Sequence, residues 1–364
     1  MQVTIVGLPG SGKTTVFNAL TGGHAETGAF SGSRAAPNVS VVKVPDERVD
    51  RLAGLFKPKK TTYADVTYVD VAIPAGATRE GTVSPDVLAL VRNADALLHV
   101  ARAFDDPALG VPADPWRDVD ELDLEFTVAD LTVVEKRLEK LATQGRHGSQ
   151  AERDAAAREE EVLRRIEPHL SEGHPLRSFG LTDDEELLLR GYRFLTQKPV
   201  LIVLNIDESR LAEAPSLEAD GRARYAQPES DVAALAGKIE SELAELSEED
   251  AGPFMEDLGI DEPSRGRIIR LTYDLLGLFS FFTAGEDECR AWTLRRGATA
   301  VDAAGAIHSD LARGFIRAQV IGVDELLDAG SMAEARKRGT LRQEGREYRV
   351  SDGDVIEVLF NVGR

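Results

Sequence analysis

The chain has 364 residues, 42% of them hydrophobic and 29% charged, with a formal net charge of −20. Such a length accommodates two or three domains, and the composition is that of an ordinary soluble globular protein. The negative charge excludes non-specific nucleic-acid binding over the whole surface, so any RNA contact has to come from a local basic patch. No apolar run approaches the ~20 residues of a membrane helix. No signal peptide is expected, because an apolar strand at the start runs straight into a glycine-rich loop. The single cysteine, Cys289, cannot form an intramolecular disulfide, which points to a reducing cytoplasm. Its expected role is a small buried side chain, not a nucleophile.

The strongest local pattern comes first in the chain. Gln2-Val3-Thr4-Ile5-Val6 is a buried-strand pattern, Gly7-Leu8-Pro9-Gly10-Ser11-Gly12-Lys13-Thr14 a glycine-rich turn, and Thr15 to Thr21 a helix. In that context GxxxxGK[ST] is a phosphate-binding loop. Glycines let successive N–H groups turn inward toward an anion, and the helix N-terminus adds partial positive charge. Gly10, Ser11, Gly12, Lys13, Thr14 and Thr15 are the expected phosphate-binding set. Lys13 is expected to reach the β- and γ-phosphates from a solvent-facing position, and Thr14 to ligate Mg2+.

Residues 24–37 are rich in Gly, Ala and Ser and predict a loop placed where a nucleotide-sensing switch lies. Residues 37–44 alternate as an edge strand, 45–55 predict a capped helix, and Lys57-Pro58-Lys59-Lys60 a small basic, solvated turn. The strand 64–71 carries Asp70 near its end, placed to hold a metal. Residues 73–85 predict a second loop, 84–93 a helix, and 96–101 a buried strand containing His99 as a satisfied core histidine. From 118 to about 193 the pattern turns helical. Leu122, Leu124, Val128, Leu131, Val134, Leu138 and Leu141 recur at heptad-like spacing among charges, 144–150 reverse the chain, and a second helix returns through Val162, Leu163 and Ile166. Leu187, Leu188, Leu189 and Phe194 are assigned to a last helix. This is a helical hairpin with coiled-coil character inserted into an α/β domain. The sheet resumes at 199–205, and 231–246 predict an amphipathic helix. Beyond 281, strands are expected at 290–294, 315–320, 347–350 and 355–360 around one helix at 300–307, a small α+β, ubiquitin-like arrangement.

Across nearly its whole length the chain resembles the YchF-type Obg-related ATPases. The resemblance rests on Gly7 to Thr21, on residues 37–60, on Asn205 to Glu208, and on C-terminal blocks such as Arg290-Ala291-Trp292-Thr293 and Gly314-Phe315-Ile316-Arg317-Ala318. It implies an α/β P-loop NTPase (G-domain-like) core at 1–117 and 198–280, a helical or coiled-coil insertion at 118–197, and a C-terminal β-grasp TGS domain at 281–364. It also implies ATP with Mg2+ as ligand, GTP as an alternative, and a ribosome or ribosomal-RNA partner reached through the TGS domain and the hairpin. Membrane and DNA are not expected partners. Where GTPases place Asn-Lys-x-Asp, this chain has Asn205-Ile206-Asp207-Glu208, so Asn205 and Glu208 are expected to face the base and tight guanine pairing is disfavoured. Thr14 and Asp70 are the implied metal residues.

Three family positions used in hydrolysis differ here. The first-switch Thr is absent from Ser33-Arg34-Ala35-Ala36, the second-switch Gly is Ile73, and a His aligns with Gly110. Nucleotide binding is therefore expected with slow turnover, and the catalytic residues stay unassigned. Two other functions compete: a nucleotide-sensing binding module that has lost hydrolysis, and a metabolite kinase, against which stands the lack of an Arg-rich lid segment. The basic residues Arg313, Arg317, Arg336, Lys337, Arg338, Arg342, Arg346 and Arg349 are either an RNA-facing patch or a solvated face neutralised by Glu334, Glu344 and Glu347.

Overall fold

The computed structural model describes residues 1–23, 25, 37–71, 83–144, 149–258, 260 and 262–361. In chain order the first elements are β1 (Gln2–Val6), α1 (Lys13–Thr21), β2 (Asn38–Lys43), α2 (Glu47–Phe56), β3 (Lys60–Thr62), β4 (Asp65–Asp70), α3 (Pro85–Arg92) and β5 (Ala96–Ala103). Then come α4 (Pro115–Gln144), α5 (Gln150–Ser171), α6 (Asp183–Leu189), β6 (Val200–Ile206), α7 (Ala214–Arg224), β7 (Ser230–Leu235), α8 (Gly237–Glu245), α9 (Glu248–Leu258) and α10 (Ser264–Leu275). The last are β8 (Leu278–Ala284), β9 (Glu288–Arg295), α11 (Ala300–Ile307), α12 (Ser309–Arg313), β10 (Phe315–Gly322), α13 (Val323–Ala329), α14 (Met332–Arg338), β11 (Arg342–Glu344) and β12 (Asp354–Phe360).

Two compact units result, 1–40 with 67–268 and 41–66 with 269–364. The first is built on a six-stranded sheet in the order β2-β4-β1-β5-β6-β7. β1 runs parallel to β4 and β5, β5 to β6, and β6 to β7. β5 and β6 are buried at every residue, the pattern of strands covered on both faces. Their apolar side chains join Val87 and Val91 of α3 and Val119, Leu122 and Phe126 of α4 in one core. At an estimated 25 cal/mol per Å2 of apolar surface removed from water, such burial is the main force holding the layers together.

The 30-residue α4 serves two cores. Leu122 and Phe126 face the sheet, whereas Val134, Leu138 and Leu141 pack with Val162, Leu163 and Ile166 of α5. Leu124 and Val128 stay exposed. The expected single heptad seam is therefore divided: the apolar stripe drifts around the helix, and each half takes the partner it meets. A capping box between Ser149 and Glu152 starts α5, satisfying two backbone donors that the helix leaves open. Phe194 lies beyond α6, not in it. It is buried in the hairpin core and stacks on Tyr192 with ring centroids 5.2 Å apart, while Leu187 and Leu188 are exposed.

Residues 231–246 are not one helix. Residues 230–235 form β7, in register with β6 from Val200↔Ser230 to Asn205↔Leu235, and only then does α8 begin. Alanines at 233, 234 and 236 favour helix locally, and strand pairing overrides that preference.

The second unit has a sheet in the order β11-β10-β12-β8-β9-β3. α11 lies where the sequence places it and contributes Ala300, Ala303 and Ala304 to a core with Phe279, Phe281, Val320 and Ile356. The expected boundary at 280/281 falls inside β8. Residues 41–66 belong to this unit, because β3 pairs in parallel with β9 from Lys60↔Glu288 to Thr62↔Arg290. Lys59 and Lys60 pair there with Asp287 and Glu288 at 2.8 and 3.2 Å, so two of the three lysines of the basic turn meet carboxylates of the same unit. The expected strand 347–350 is a turn with one bridge, Thr299↔Arg349. The partner of β10 on that side is β11.

Candidate nucleotide site

The glycine-rich loop leaves β1 and enters α1 at Gly12, whose φ is 82°. A Cβ there would stand 2.3 Å from Asn205 Nδ2, and one on Gly10, φ 81°, would stand 2.8 Å from Leu109 Cδ1. Both positions therefore require glycine for conformation, and Gly12 also for space, since Asn205 is held by its own hydrogen bonds. The amide of Ser11 donates to Leu8 O at 3.2 Å, and α1 has no acidic residue in its first turn. The loop is thus a cradle of backbone donors at a positive helix end, fitted to an anion.

Lys13 differs from expectation. It is 9% exposed, and its Nζ donates to Leu8 O at 3.0 Å. Burial pushes its ammonium down to about 8, with Asp70 opposing the shift. Lys13 is folded over its own loop, not solvent-facing. An arriving phosphate would replace one carbonyl partner with full negative charge.

Thr14 Oγ1 donates to Asp70 Oδ2 at 2.9 Å, and Asn38 Nδ2 donates to the same oxygen at 3.3 Å. Asp70 is 4% exposed, and its Oδ1 has no partner among the described residues. A buried carboxylate oxygen left open beside a hydroxyl fits a hard, water-retaining cation such as Mg2+. When bound, that ion would offset phosphate charge; Thr14 and Asp70 would hold it. Asn38, which steadies Asp70, was not among the sequence candidates. It lies on an exposed edge strand, and no local pattern marks it.

Asn205 joins two parts of the site. Its Nδ2 donates to Ser11 O at 3.0 Å, and its Oδ1 accepts from Gly237 N at 3.0 Å. These contacts use one of its two amide hydrogens. Asn205→Ala should cost about 2–4 kcal/mol of stability, since a buried acceptor and a buried donor lose their partner. Denaturant unfolding checks this; a loss under about 0.5 kcal/mol would contradict the tie. Glu208 is exposed at the start of a short 3-10 turn, and Thr15 lies in the first turn of α1.

A second loop walls the cradle. Arg102, 3% exposed, donates to Phe104 O, Val111 O and Pro112 O at 3.4, 3.0 and 3.0 Å. That fixes the turn after β5 and sets Leu109 against Gly10. An arginine one residue past the apolar run was the signal for this role. Gly110 caps the turn at φ 67°. Ser33 to Ala36 and Ile73 lie outside the described residues. His99 is buried and held neutral, burial pushing it down to about 4. Its Nε2 has no partner among the described residues, so it is a core histidine but not a fully satisfied one.

Residues 2–141 match a family model described as a 50S ribosome-binding GTPase. Residues 278–361 match YchF-GTPase_C, described as a protein of unknown function. The chain is 40% identical over 364 residues to the "Ribosome-binding ATPase YchF" of Bacillus subtilis (strain 168), covering 98% of both chains. It is 38% and 37% identical to proteins of the same name from Pasteurella multocida (strain Pm70) and Escherichia coli O157:H7, again with 98% of each covered. This chain belongs to the YchF family. A solved structure titled as the Schizosaccharomyces pombe YchF GTPase superposes with a TM-score of 0.84 at 29% identity, covering 99% of this chain and 97% of that one. As a YchF-family protein the chain has a P-loop nucleotide-binding core. Among the described residues no helix is long and apolar enough to cross a membrane.

Proposed function

We propose that this chain is a Mg–ATP-binding regulator that acts on the ribosome in the cytoplasm, with GTP as an alternative ligand. The observation that carries the reading is the join of Thr14, Asp70 and Lys13 at the glycine cradle. Gly10, Ser11, Gly12, Lys13, Thr14 and Thr15 hold the phosphates, and Thr14 and Asp70 hold the metal. Asn205 spends its remaining amide hydrogen on the base, and Glu208 stands at the base edge. The names of the relatives support the ribosomal partner, and in so acidic a chain contact with RNA has to come from a local cluster of basic residues.

Base choice tests the nucleotide half of this reading. Ile206 stands where GTPases have Lys, and Glu208 is one methylene longer than their Asp. ATP should therefore bind at least as tightly as GTP in a calorimetric titration. A tenfold preference for GTP, about 1.4 kcal/mol, would overturn the assignment of the base site. The bare Gly110 favours a second reading in which nucleotide sets conformation and hydrolysis is lost. The turnover rate separates the two.

A further inference from the structure

The eight basic residues between 313 and 349 differ in their partners. Arg313 pairs with Asp310, Lys337 and Arg338 with Glu334, and Arg342 with Asp354. Arg346 and Arg349 donate to the backbone carbonyls of Phe315 and Gly297. Arg317 and Arg336 are held by side-chain amides. Arg317 Nη1 donates to Gln343 Oε1 at 2.6 Å, and Arg336 Nη2 donates to Gln319 Oε1 at 2.8 Å.

Those two glutamines face each other across the β10–β11 ladder. Arg317 is two residues from Gln319 on β10, so it shares their face. The alternate residues Ala318 and Val320 are buried in the core, which makes this the outer face at Arg317 and Gln319; Ile321, next along it, is covered. Both arginines are exposed. Each guanidinium is fixed by a neutral acceptor, so its charge stays available while part of its rotamer freedom is already lost. Glu357 of β12 stands opposite Gln319 in register and puts a carboxylate on this face. It makes no ion pair with either arginine among the described residues.

We infer that the outer face of β10 and β11 is a site for the phosphate backbone of RNA, with Arg317 and Arg336 as its paired ligands. This rests on the ribosomal reading above. The register neighbours on this face, Leu359 and Glu357, are not aromatic and give bases nothing to stack on, so the two guanidinium charges point to phosphate contact.

The test uses the full chain and two RNA hairpins of unrelated sequence, with affinity measured against salt. The pair R317A/R336A should weaken both hairpins alike and lower the slope of log K against log salt by about 2. The pair K337A/R338A, whose cations share the single carboxylate of Glu334, should lower the slope by less than R317A/R336A does, and E357Q should tighten binding. If R317A/R336A keeps the wild-type slope while wild-type binding is salt-dependent, this face is wrong and the ribosomal reading survives. Unequal loss on the two hairpins would mean base reading and would also overturn the site. If the wild type binds neither hairpin nor ribosomes, the ribosomal reading itself fails.

Discussion

Lys13→Met should weaken ATP binding about a hundredfold or more while leaving the ligand-free protein at least as stable as wild type. The loss follows from removing the one side-chain cation of the loop, whose hydrogen bonds to phosphate are charge-assisted. The stability follows from burial. Lys13 carries a pKa of about 8 against an ordinary 10.5, so the folded state disfavours its charged form by roughly 3 kcal/mol. Methionine removes that penalty and loses only the bond to Leu8 O. The sign with pH is fixed by the same shift. The native group releases its proton near pH 8 and the unfolded group near 10.5. Between those values the unfolded state binds more protons, and wild-type stability rises with pH; the variant should lack that rise. Nucleotide phosphate raises the lysine pKa again, so ATP affinity should fall as pH climbs above 8, with proton uptake visible by calorimetry in two buffers. Wild-type affinity in the variant would place the phosphate site elsewhere. A fall in Tm of several degrees would contradict the cost assigned to burial.

Intrinsic hydrolysis should be very slow, below about one turnover per minute and on the order of unstimulated small GTPases. Water attack on a γ-phosphate needs an oriented nucleophile and donors aimed at the developing charge, and one lost donor can cost about 10²–10³ in rate. At Gly110 the chain has no imidazole, and the adjacent Leu109, set against Gly10, is apolar. By the resemblance read from the sequence, residues 33–36 lack a first-switch Thr, and Ile73, a β-branched residue that reaches fewer backbone conformations, stands in place of a glycine. Ile73→Gly alone should not restore turnover, because two other elements stay absent. A partner that supplies the missing groups would raise the rate. Phosphate release of several per second from the isolated wild type would show that another residue performs the chemistry.

The phosphate loop was legible because its signal is local: strand, glycine turn and helix follow one another within twenty residues. α11 was legible for the same reason, its Thr299 cap and alanine face being contiguous. Long-range pairings were not. The tie from Asn205 to Ser11 spans 194 residues, and nothing near either marks the other. The transfer of residues 41–66 to the second sheet depends on a three-residue strand, Lys60–Thr62, too short for alternation to register. Lys13 misled because a charged side chain suggests solvent, whereas the loop folds it onto a carbonyl. The division of the α4 stripe was hidden because heptad spacing and 3.6-residue packing coincide over short stretches and part over thirty residues.

A Mg–ATP-binding regulator that acts on the ribosome requires bound nucleotide to alter its association with ribosomes. The direct measurement is cosedimentation of the full chain with purified ribosomes in the presence of Mg2+ with ATP, with ADP, and without nucleotide, for the wild type and Lys13→Met. Ribosome-bound wild type should change severalfold among the three conditions, and Lys13→Met should behave in all three as the nucleotide-free protein does. Equal binding of the wild type in every condition, or a nucleotide response that survives in Lys13→Met, would contradict it.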